Sequence, residues 1–129
     1  MLVTTTALYA ALLTLLFITL SWRVIMYRRA NSISLGDNDD KALRKRMRAQ
    51  ANFIEYAPLG LILMLITELQ SAPEIALHAM GLTLLVGRVL HAVGFSSTPQ
   101  KMVLRQIGMV LTLGMLVLSA LALLSHLVF

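Results

Sequence analysis

The chain has 129 residues, a formal net charge of +5 and a hydrophobic fraction of 58%, with a mean hydropathy of +0.81. That composition is too apolar for an ordinary soluble domain. Cysteine is absent, which excludes disulfides, thiolate metal sites and a cysteine nucleophile, so any thiol that reacts here must arrive on a ligand.

In chain order, the first apolar run carries no charge from Met1 to Trp22 and predicts a helix over residues 4–29. The basic residues follow this run rather than precede it, which argues for an uncleaved first helix with an exported N-terminus and against a secretory signal. Trp22 and Tyr27 suit a membrane–water interface, and Arg23 can snorkel from it. A loop, NSISLGDNDD, spans residues 31–40, and Lys41 to Arg48 forms a basic helical lead-in. The second helix is expected over residues 48–69. From Ala49 to Thr67 its only charge is Glu55, and Pro58 is expected to bend it. After a tight turn the third helix covers residues 73–94. The loop FSSTPQ then leads to the fourth, over residues 101–127. Each run approaches the ~20 residues that cross a hydrocarbon core of ~30 Å. The expected fold is all-α: an integral membrane, antiparallel four-helix bundle forming a single domain over residues 1–129 and contacting membrane lipids.

Of the eleven Lys and Arg residues, eight lie from Arg23 to Arg48, around the first connection: Arg23, Arg28, Arg29, Lys41, Arg44, Lys45, Arg46 and Arg48. Arg88, Lys101 and Arg105 surround the third connection, while the second holds Glu68 and Glu74 and no basic residue. The positive-inside rule therefore puts the first and third connections in the cytoplasm and both termini on the other side. Nucleic acid is not the expected partner, because the basic residues flank hydrophobic segments without aromatic interleaving.

Arg48, Asn52, Glu55 and Tyr56 fall at i, i+4, i+7 and i+8, on one helical face. A polar stripe inside a membrane is expensive and has either a structural partner or a task. On spacing alone, a register-fixing cluster and a ligand pocket both account for it. As a pocket, Arg48 would pair with a carboxylate, Asn52 would donate and accept, and Glu55 would take an ammonium or hold an arginine. Arg88, His91 and Phe95 share a face of the third helix, and Arg88 is expected to form a salt bridge with Glu55. His91 has no second histidine near it in the pattern, so no metal site is expected. Arg105 either snorkels at the interface or stabilises an anion such as a thiolate. Lowering a thiol pKa by about two units takes ~2.7 kcal/mol of differential stabilisation.

RAQANFIEYAP in the second helix, GRVLHAVGF in the third and LRQIGM opening the fourth resemble the MAPEG family, the membrane-associated proteins in eicosanoid and glutathione metabolism. The likeness covers nearly the whole chain and is strongest to the family's bacterial branch, which implies a cell inner membrane. The resemblance implies a homotrimer with glutathione as co-substrate, bound between subunits near the cytoplasmic face. It matches Arg48, Asn52, Glu55 and Tyr56 to glutathione-binding positions, Gln50 to a further contact, and His91 to a ring-bearing contact. Arg105 matches the arginine thought to hold the glutathione thiolate. Arg28, or alternatively Arg23, matches a first-helix arginine that reaches the peptide, and Arg88 matches a structural basic position.

Two positions depart from the pattern. Ala51 stands where some enzymatic members have arginine, and Phe95 stands where many have tyrosine, so one hydroxyl contact to glutathione is missing. The expected function is a glutathione-dependent transferase or peroxidase acting on an apolar small molecule that enters from lipid. The alternatives are a non-catalytic lipid-binding or interaction protein of the same fold, and a small drug exporter. The exporter is disfavoured because the first helix has no carboxylate.

Overall fold

The computed structural model describes residues 2–128; the outermost residues of the expected domain, Met1 and Phe129, lie outside the described residues. Four helices follow one another: α1 (Thr5–Ala30), α2 (Lys41–Leu69), α3 (Glu74–Ser96) and α4 (Met102–Val128). Each is long and apolar enough to cross a membrane, and no strand occurs among the described residues. The fold is thus an all-α four-helix membrane bundle, with consecutive helices antiparallel.

α2 begins at Lys41, seven residues before the expected start of the span. The cause is Asp40, whose side chain accepts from the amides of Ala42 at 2.8 Å and Leu43 at 3.1 Å. These amides would otherwise lack helical partners. Its 29 residues give a rod of about 43 Å, longer than the hydrocarbon core, so the basic first turns stand outside it. The helix continues through Pro58.

α1 has no capping side chain of its own. Glu68 supplies one from another helix: its carboxylate accepts from the Thr5 amide at 2.9 Å and the Thr6 amide at 2.8 Å. Glu68 thus sits in the last turn of α2, within the span expected for that helix, and faces the start of α1. At that same end the Tyr9 hydroxyl lies 3.1 Å from His78 Nδ1, joining α1 to α3.

α2 and α3 form the centre of the bundle, flanked by α1 and α4, which do not approach each other among the described residues. Leu13, Leu43, Met64 and Leu84 are fully buried in the core, and Phe17 stacks on Phe53 with ring centroids 5.6 Å apart. α3 and α4 come close together where Gly87 faces Gly108. A methyl group on Gly108 would sit 2.5 Å from the Gly87 carbonyl oxygen and 2.5 Å from the His91 amide nitrogen. The remaining faces are dominated by exposed Leu, Ile and Val, as lipid contact requires.

Candidate functional site

The close α3–α4 approach sets the position of Arg88, which is only 2% exposed. Its Nη1 donates to Asn52 Oδ1 on α2 at 2.6 Å, and its Nε donates to Thr112 Oγ1 on α4 at 3.0 Å. Nη2 lies 3.3 Å from Met109 Sδ, and the guanidinium lies 5.5 Å from the Tyr56 ring centroid. One arginine thereby ties three helices together using neutral acceptors and a π-face.

This corrects the expected Arg88–Glu55 salt bridge. Glu55 pairs instead with Arg48 at 3.6 Å, and their side chains are 47% and 53% exposed. The reason is angular. At about 100° per residue, Asn52 and Tyr56 lie toward the buried stripe of Phe53, Ala57, Gly60 and Met64, while Glu55 and Arg48 fall on the far flank. The polar stripe is therefore divided. Half of it is engaged with α3, and the other half faces outward from the chain.

A second group lies one to two turns nearer the basic end. His91 is buried, and its ring lies 5.7 Å from that of Phe95 in a tilted arrangement. The Arg105 guanidinium sits over the Phe95 ring at 4.3 Å. Its one hydrogen bond reaches Gln100 Oε1 at 3.5 Å, and no carboxylate pairs with it among the described residues. Phe95, lacking the hydroxyl, serves as a cation–π platform.

The remaining candidates lie on α1 or against it. Gln50 Nε2 donates to Ser21 Oγ at 2.9 Å. Arg28 donates to the Gly36 carbonyl at 2.8 Å and reaches Met47 Sδ at 3.4 Å, and Arg23 donates to Ser96 Oγ at 2.6 Å. Within one chain, then, Asn52 and Tyr56 are brought to Arg88, and His91 to Phe95 and Arg105, while Gln50 and Arg28 lie on the α1 side. Thr112 escaped the sequence reading. Its signal was a lone hydroxyl in an apolar run one turn after Gly108, to whose carbonyl it also donates at 2.8 Å.

Comparison with known proteins agrees with this architecture. Residues 6–125 match the sequence model of the MAPEG family. Two relatives, each named inner membrane protein YecN, come from Escherichia coli K12 and E. coli O6:H1 strain CFT073. Each is 36% identical over 89 residues, which is 69% of this chain and 68% of the relative. No solved structure matches the chain.

Proposed function

Because this chain belongs to the MAPEG family, we propose that it binds glutathione at the basic end of the bundle and delivers it to an apolar electrophile. The setting is a bacterial inner membrane, with the basic end cytoplasmic and both termini across the membrane. The observation that carries the reading is the guanidinium of Arg105, half-buried on Phe95 and without a carboxylate partner among the described residues. Such a cation, partly shielded from water, favours an anion beside it. For glutathione, that anion is the sulfur. The thiolate is the nucleophile, and its attack forms a bond to the electrophile as a leaving group departs or a proton is taken up.

The outward Arg48–Glu55 pair suits the peptide's ends, with Arg48 receiving a carboxylate and Glu55 the ammonium. Asn52 and Tyr56 border this wall from the Arg88 side, and His91, buried against Phe95, backs it from within the chain. Gln50 and Arg28 belong to the α1 side, so a second copy, and by the family pattern a third, would supply them across a subunit boundary.

The test is spectroscopic. Detergent-purified protein is expected to bind glutathione and to show thiolate absorbance at neutral pH. Arg105→Ala is expected to keep the fold and to raise the bound thiol's pKa by about two units, equivalent to ~2.7 kcal/mol. An unchanged thiolate signal in that variant sinks the role assigned to Arg105.

A second reading, lipid binding without catalysis, is favoured by one feature. A cleft of 520 Å³ lined by Met80, Met115 and Leu118 opens between α3 and α4, toward the end away from Arg105. It suits an acyl chain. Calorimetry separates the two readings, because absence of binding at millimolar glutathione favours the second.

A further inference from the structure

A different cavity lies at the basic end, between α1, the first turns of α2 and the end of α3. It measures 220 Å³ and is lined by Arg23, Lys41, Lys45, Arg46, Ser96 and Thr98, together with Ala42. None of the residues placed at the glutathione site above lines it; Arg23, the alternative to Arg28 on α1, does. Four of these residues are cationic and none is acidic, although three aspartates lie close by in sequence. Asp37 and Asp39 pair with Arg44, and Asp40 bonds to the Tyr27 hydroxyl and the start of α2, near enough to feel the charge of Arg46 but not lining the recess.

The cations are held in place yet keep donors to spare. Arg23 uses one guanidinium nitrogen on Ser96 Oγ. Lys45 donates to the Ser97 carbonyl at 2.9 Å and Thr98 Oγ1 at 3.3 Å. Arg46 lies over the Tyr27 ring at 4.3 Å and donates to the Ala42 carbonyl at 2.9 Å. Lys41 makes no side-chain hydrogen bond among the described residues, and all three of its donors are free. Gathering like charges around a recess is unfavourable unless an anion joins them.

We propose that this recess binds a phosphate group. A tetrahedral oxyanion offers acceptors in several directions at once, matching donors that converge from three elements, whereas one carboxylate would leave most of them unused. The volume is more than ten times what one water requires, so a phosphate fits with some of its hydration. The group can be the headgroup of an anionic phospholipid, since the recess lies near the membrane boundary, or it can belong to a soluble phosphate compound. The proposal is separate from the glutathione reading as stated above, which uses Arg28 and not Arg23, and the Lys41→Gln variant touches no glutathione candidate.

The experiment uses the full chain in uncharged detergent, with two probes. Inorganic phosphate is titrated by calorimetry, and retention of phosphatidic acid over phosphatidylcholine is measured by native mass spectrometry. Binding of phosphate identifies a soluble source, and selective retention of phosphatidic acid alone identifies the lipid. In either case Arg23→Gln/Lys45→Gln is expected to weaken binding by at least about tenfold, as loss of charge-assisted hydrogen bonds implies. Arg29→Gln, an exposed cation outside the recess, is expected to leave it unchanged. If the double variant does not fold, Lys41→Gln replaces it, because its ammonium makes no hydrogen bond among the described residues, and a several-fold loss is expected. Failure of both probes overturns the proposal. So does equal binding by the recess variant, or equal weakening by Arg29→Gln, which would mean diffuse attraction rather than a site.

Discussion

Arg88 is buried among neutral partners, so its charge depends on a few strong acceptors. Asn52 Oδ1, at 2.6 Å, is the shortest of them. Hydrogen bonds to charged groups contribute about 1.5–3 kcal/mol, and a buried charge that loses its partner suffers the full desolvation cost. Asn52→Ala is therefore expected to lower stability in detergent by about 2 kcal/mol, read from thermal unfolding. In an Arg88→Met background the same change is expected to cost far less, since the charge that needed Asn52 is gone. Equal costs in both backgrounds would show that Asn52 stabilises through something other than Arg88. Arg105 is the contrasting case: it is half-exposed and has a single long hydrogen bond, so its loss is expected to change ligand chemistry more than folding.

Two elements depend on how their backbones begin or meet. The start of α2 rests on Asp40, whose carboxyl is held below its ordinary value of 3.8, first by the Tyr27 hydroxyl and then by the Leu43 amide. A carboxylate with a depressed folded pKa contributes stability that is present above its unfolded pKa and lost as pH falls through the folded one. Acidification from just above 3.8 downward is thus expected to loosen the first turn of α2. Asp40→Asn keeps a capping oxygen without the titration, so its unfolding temperature is expected to vary less over the same pH range. At the α3–α4 seam the constraint is steric. Gly108→Ala would push a methyl against backbone atoms of α3, and overpacking of this kind typically costs 1–3 kcal/mol. Gly114→Ala, whose added methyl would meet nothing within 4 Å among the described residues, is expected to be neutral. The pair of variants separates close packing from any general intolerance of α4 to substitution.

For the molecule as a whole, the four helices were legible because hydrocarbon thickness fixes their length and charge marks their ends. The helix-two stripe was legible as a shared face, but its division was not. Two opposite charges at similar depth suggested an Arg88–Glu55 pair, and only the packing of α2 on α3 shows which angle Asn52 and Tyr56 occupy. The capping role of Glu68 was hidden for a related reason. A carboxylate in the last turn of one helix reads as a charge at a membrane boundary unless the helix start that it caps is known to lie beside it. The same directional information bears on assembly. Asn52 and Tyr56 engage Arg88, and Arg105 lies with His91 and Phe95, while Gln50 and Arg28 lie on the α1 side. If copies of the chain assemble with the α1 side of one against the Arg48–Glu55 flank of the next, each site draws residues from two chains. Arg105→Ala and Gln50→Ala would then damage the same site from opposite sides of a boundary. Co-expressed as differently tagged subunits and purified as mixed oligomers, the two variants are expected to recover part of the glutathione binding that is weakened in each alone, because some boundaries pair two intact walls. A site contained within one chain predicts no recovery, since every subunit carries one lesion. Calorimetry on the mixed and single assemblies distinguishes the two arrangements.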